Sequence, residues 1–145
     1  MGKLFILGIG PGTPELLVPA ASTALRRCTD LVAYSLYLEL LGDAVDGKTC
    51  HDSPLGEEVA RARLSLDIAA SGRTTALVSS GDAGIYAMAT VVFELIAGDD
   101  RGAWSGVDVE VIPGISAMQL VSGARVGSSI KVPAVLRAHS SAIIK

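Results

Sequence analysis

Cysteine is scarce in this 145-residue sequence: only Cys28 and Cys50 occur, each beside polar neighbours and not in a C-x-x-C spacing. That excludes a disulfide scaffold, and a reducing compartment, the cytoplasm, is the simplest expectation. Long apolar runs are missing, and none approaches the roughly 20 residues of a membrane span. The opening Met1-Gly2-Lys3-Leu4-Phe5-Ile6-Leu7-Gly8 is too short and too glycine-punctuated for a signal peptide. Basic residues are not in excess: twelve against fifteen acidic ones leave a net charge of −3, so nothing draws the chain to nucleic acid. Histidine is limited to His51 and His139, and no metal-ligand set or nucleophile triad can be assembled. Internal repeats and low-complexity tracts are absent. What remains is half hydrophobic, with a mean hydropathy of +0.48, which excludes disorder. The length suits one domain able to bury about two-thirds of its unfolded surface.

The charge is uneven. All sixteen glycines and all fifteen acids lie within residues 1–127, where nine basic residues leave a net of −6. Residues 128–145 hold Lys131, Arg137 and Lys145 and no acid, a net of +3. A break of that kind marks a boundary. The expected organisation is an α/β domain over 1–127 followed by an atypical basic segment over 128–145.

Short β-prone apolar runs alternate with helical patterns. Strands are expected at Lys3–Ile9, Leu31–Tyr34, Thr75–Ser79 and Val107–Ile112, the first ended by glycines and the last by Pro113-Gly114. Thr13 with Pro14 and Glu15 predicts a helix running to about Arg27, with Leu16, Leu17, Ala20, Ala24 and Leu25 inward. Further helices are expected over Glu57–Ser71, with Val59, Leu66 and Ala70 on one face and Arg61 and Arg63 elsewhere, over Ile85–Ala97 and over Ser116–Ser122. Continuous apolar strands between helices predict an α/β fold, a mostly parallel sheet flanked by helices on both faces.

Three strands end in glycine-bearing loops: Gly8-Ile9-Gly10-Pro11-Gly12-Thr13, Ser80-Gly81-Asp82-Ala83-Gly84 and Pro113-Gly114-Ile115-Ser116-Ala117. In a parallel sheet they share the carboxyl edge, where ligands of open α/β folds bind. The first loop does not match a dinucleotide fingerprint. Its glycines fall as G-x-G-x-G, Pro11 removes an N–H a pyrophosphate would use, and Tyr34-Ser35 stand where the second strand should end in an acid. A Walker lysine is also lacking. Asp82, the one acid in these loops, either accepts from a ribose hydroxyl or ligand amine or caps the next helix. Tyr86 either faces a pocket or fills core, and Tyr34 and Tyr37 support a wall. His51-Asp52 reads as a loop feature rather than an acid–base pair, and Trp104 as a loop anchor.

Taken in order, these segments resemble the tetrapyrrole methylases, the class III S-adenosyl-L-methionine-dependent methyltransferases. The match covers about Lys3 to Gly127. It is carried by Gly8–Gly12 with Glu15-Leu16-Leu17, by Tyr34-Ser35-Leu36-Tyr37-Leu38, and by Val111-Ile112-Pro113-Gly114-Ile115-Ser116-Ala117. The segment Val78-Ser79-Ser80-Gly81-Asp82-Ala83-Gly84-Ile85-Tyr86-Ala87-Met88-Ala89 is most similar to the precorrin-3B C17-methyltransferase branch of cobalamin biosynthesis.

The resemblance implies a two-lobed homodimeric enzyme with S-adenosyl-L-methionine between its lobes, of which this chain holds the N-terminal lobe and lacks the second. It implies cofactor contacts at Pro11, Ser80, Gly81, Asp82, Ile85, Tyr86, Ser116 and Ala117. The tetrapyrrole substrate would lie over Gly8, Gly10, Gly12 and Thr13. It also implies methyl transfer to C17 of precorrin-3B or its cobalt form with ring contraction, for which no acid or base is assigned. Past Gly127 the sequence departs from the family pattern, which implies a truncated lobe. The alternatives are a class III methyltransferase acting on another carbon, or a non-catalytic dimerising lobe.

Overall fold

A computed structural model describes residues 2–84 and 88–122. Five strands, β1 (Lys3–Gly8), β2 (Asp30–Tyr34), β3 (Thr49–Ser53), β4 (Thr74–Ser79) and β5 (Asp108–Ile112), form one sheet in the order β3-β2-β4-β1-β5. Every pairing is parallel. Five helices connect or flank them: α1 (Pro19–Arg27), α2 (Ser35–Leu41), α3 (Glu58–Ala70), α4 (Met88–Ala97) and α5 (Ala117–Ser122).

The continuous apolar run of β1 follows from its central place. Successive side chains of a strand point to opposite faces, and here both faces are covered. Phe5 and Leu7 pack with Ala21, Ala24 and Leu25 of α1, while Leu4 and Ile6 pack with Ala62, Leu66 and Ala69 of α3 and Val92 of α4. Each such fully buried leucine or isoleucine contributes about 2 kcal/mol. β1 and β4 are neighbours whose chains depart in opposite directions, one by α1 towards β2 and the other by α4 towards β5. Their carboxyl ends therefore mark a switch point of the sheet.

Several local expectations change. The helix expected from Pro14 to Arg27 is broken into a 3-10 turn over Pro14–Leu16 and α1, because Val18 is extended and Pro19 restarts the helix at its first position. The break shifts the phase, so Ala21 is buried and Ala20 exposed. Thr13 is extended and makes no side-chain cap hydrogen bond. His51-Asp52 lies in a strand, not a loop: β3 is a polar edge strand, Thr-Cys-His-Asp-Ser, with no apolar alternation to announce it. In α3 the inward residues are Arg61, Ala62, Ser65, Leu66 and Ala69, whereas Val59 is exposed. The Ile85 start of the next helix and the basic segment 128–145 lie outside the described residues.

Candidate functional site

The three glycine loops meet at the carboxyl edge and are bound to one another by backbone. Gly10 and Gly81 exchange two hydrogen bonds, the Gly10 N–H donating to the Gly81 carbonyl at 3.1 Å and the Gly81 N–H to the Gly10 carbonyl at 2.8 Å. Both glycines hold positive φ, +69° and +63°, which other residues rarely adopt. Gly8 and Gly114 are required for a different reason. A Cβ at Gly8 would stand 2.3 Å from the Gly81 carbonyl oxygen, and one at Gly114 would stand 2.2 Å from that same oxygen. The glycines of all three loops thus allow backbone to close on backbone.

Asp82 completes the junction. Its Oδ1 accepts from the Gly114 N–H at 3.0 Å and its Oδ2 from the Gly84 N–H at 2.8 Å, so the carboxylate ties the β4 loop to the β5 loop. Ser80 donates to the Tyr37 hydroxyl at 3.2 Å. Tyr37 in turn meets Tyr34 edge-to-face, ring centroids 5.3 Å apart, and Tyr37 is buried in the core. The Ser116 N–H donates to Gln119 Oε1 at 2.7 Å, half of a Ser-x-x-Gln capping box that settles the start of α5. The sequence signal for Gln119 is that spacing alone.

Of the residues singled out for a cofactor, Ser80, Gly81, Asp82, Ser116 and Ala117 are brought together and half-buried, and Pro11 is buried beside them in the first loop. Ile85 and Tyr86 lie outside the described residues. Of the substrate-facing set, Gly8 and Gly10 are buried in the loop junction, Gly12 is half-buried and Thr13 exposed. Gly12 and Thr13 line a small cavity of about 60 Å³ with Leu17 and Leu40, too small for a nucleoside.

The direction of the hydrogen bonds constrains the ligand. The N–H groups of Gly10, Gly81, Gly84 and Gly114 donate within the loops, and that of Ser116 donates to Gln119 of α5. A phosphate needs such donors free, as at a nest or helix start. These five amides are therefore already engaged.

Other titratable groups lie off this edge. Burial alone would push the Asp30 carboxyl up, but hydrogen bonds from Thr29 and His51 and the charge of Arg73 outweigh it and hold the group below its ordinary 3.8. His51 Nε2 lies 3.0 Å from Asp30 Oδ1 rather than against Asp52, and Asp30 opens β2 at the sheet's opposite edge. Burial raises the Cys28 thiol to about 11 and also raises Cys50, so neither is an activated nucleophile. Trp104 is buried, its Nε1–H donating to Asp67 at 2.8 Å, an anchor for its loop. Among the described residues no group of three His, Cys, Asp or Glu could hold a metal ion, and no helix is long and apolar enough to cross a membrane.

Comparison with known proteins bears on the loop junction. Residues 3–144 match the family of Tetrapyrrole (Corrin/Porphyrin) Methylases. The chain belongs to that family. Among relatives of this chain, the cobalamin biosynthesis protein CobIJ of Mycobacterium tuberculosis is 40% identical over 89% of the chain and 24% of its own length. The cobalt-factor III methyltransferase of Priestia megaterium is 38% identical over 81% of the chain and 22% of its own length. The precorrin-3B C(17)-methyltransferase of a Sinorhizobium species is 34% identical over 89% of the chain and 50% of its own length. The crystal structure of the methyltransferase CobJ superposes with a TM-score of 0.77 and 34% identity, covering 89% of this chain and 54% of that one. The chain thus spans between about a quarter and a half of the length of these relatives.

Proposed function

We propose that this chain provides the N-terminal α/β lobe of an S-adenosyl-L-methionine-dependent methyltransferase that methylates C17 of a corrin precursor, precorrin-3B or its cobalt form, with ring contraction in cobalamin biosynthesis. The observation that carries this reading is the loop junction itself. Its three loops are joined backbone to backbone and through the Asp82 carboxylate at one edge of the sheet, in a chain of the methylase family whose relatives are named for that reaction.

The residues fit the methyl donor. The half-buried Gly81, Ser116 and Ala117 let a nucleoside approach backbone closely, beside the Asp82 carboxylate that ties their loops together. When bound, S-adenosyl-L-methionine supplies an electrophilic methyl on a sulfonium. The protein's part is alignment and exclusion of water, which account for much of the acceleration when no covalent help is needed. Ser80, fixed by Tyr37, sets the wall on one side, and the Gly8–Thr13 loop offers the surface for the acceptor. The assembled enzyme is a homodimer in the cytoplasm on this reading.

The test is to mix the chain with a separately made C-terminal half of the Sinorhizobium enzyme, labelled S-adenosyl-L-methionine and a panel of precorrins and cobalt-factors. Label should enter cobalt-factor III or precorrin-3B. Label entering a different member of the panel would move the assignment to another carbon.

A further inference from the structure

Arg61 stands out as a buried cation without a counter-ion. It is 4% exposed, held by Nε donating to Ser53 Oγ at 2.7 Å and Nη2 donating to the Pro54 carbonyl at 2.8 Å. Both partners are neutral. All fifteen acidic residues lie among the described residues, and none forms an ion pair with Arg61. Glu58, one turn away in α3, instead accepts from the Gly56 N–H. Nη1 has no hydrogen-bond partner and is not sealed from solvent. Burying an unpaired guanidinium is costly, and its natural complement is a carboxylate taken by the free edge of the fork.

Its position is also informative. Ser53 ends β3, so Arg61 is fixed at the carboxyl edge that also carries the glycine loops. β3 lies two strands from β4, roughly 10 Å at about 4.8 Å per strand. The gap is spanned by Tyr34, in register with Ser53, and by Tyr37, which holds Ser80. The start of α3 adds the positive end of its dipole.

We propose that Arg61 is the seat for a peripheral carboxylate of the acceptor, fixing the macrocycle's rotation over the loop junction. The inference rests on the reading above that the acceptor is a corrin precursor, whose acetate and propionate side chains supply such groups. Ser53 and Pro54 hold the guanidinium ready, so little ordering is needed on binding.

The test uses the chain, Arg61→Gln and Arg61→Lys, each checked for folding by circular dichroism. Each is titrated with uroporphyrin I, its octamethyl ester and, separately, S-adenosylhomocysteine. The unmodified chain should bind the free acid at least about tenfold more tightly than the ester. Arg61→Gln should weaken the free acid about tenfold and leave the ester and S-adenosylhomocysteine unchanged, with Arg61→Lys recovering part of the loss. Equal affinity of the unmodified chain for acid and ester overturns the proposal, even if neither variant folds. So does a folded Arg61→Gln that binds the acid normally or loses acid and ester alike. Acid discrimination through Arg61 without S-adenosylhomocysteine binding would uphold the carboxylate seat and count against the methyltransferase reading.

Discussion

The Gly114 N–H donates to Asp82 Oδ1 across 3.0 Å, joining the loop after β5 to the loop after β4 through one carboxylate that also holds Gly84. Asp82→Ala strands both amides, at a cost of about 2–3 kcal/mol for hydrogen bonds to a charged acceptor. Urea unfolding should register that loss, and Asp82→Asn should recover part of it by keeping one acceptor.

Gly8→Ala and Gly114→Ala should be more damaging than any alanine at an open glycine. The new Cβ at either position meets backbone, the Gly81 carbonyl oxygen, at 2.3 Å and 2.2 Å. Backbone cannot rotate away as a side chain can, so each should cost about 3 kcal/mol or more in a chemical melt. Gly72→Ala is the control: its φ of +98° is strained, but nothing stands within 4 Å of the new Cβ, and about 1 kcal/mol is expected.

Tyr37→Phe removes one hydroxyl, the acceptor for Ser80 at 3.2 Å, and leaves the contact with Tyr34 in place. Stability should fall by about 1 kcal/mol or less. Affinity for S-adenosylhomocysteine should fall several-fold, because Ser80 would lose its fixed orientation. A calorimetric comparison separates the two effects.

Asp30 predicts an acid limb. Its folded-state carboxyl lies below the ordinary 3.8, burial being outweighed by Thr29, His51 and Arg73. The stabilisation is therefore complete well above that ordinary value and is lost as pH falls through the lower folded-state value. Asp30→Asn should be less stable at pH 7, by about 1 kcal/mol, since the carboxylate is buried but its cationic partners Arg73 and His51 are themselves partly exposed. Its stability should also fall less steeply below about pH 4. Thermal melts across that range measure both.

The parallel sheet and the three loops were legible because they rest on local signals: β1 is apolar on both faces, and the glycines punctuate the strand ends. The site was legible only as a list. That Asp82 joins two loops depends on β1 lying between β4 and β5, an order no local pattern encodes. From the sequence Arg61 lies off the apolar face, because a charged residue in an amphipathic helix ordinarily faces water, and its partner Ser53 belongs to a polar edge strand without alternation. Pro19 does not stand out in the apolar spacing, which runs on across it, though the ring ends one helical segment and opens the next.

The central claim is that the joined loops form a half-site for the methyl donor, and calorimetric titration with S-adenosylhomocysteine tests it, with NADH as the control ligand. The account predicts saturable binding of S-adenosylhomocysteine alone, lost in Asp82→Ala. Binding of NADH would contradict it, because a pyrophosphate needs N–H donors that Gly10, Gly81 and Gly114 give to one another and to Asp82.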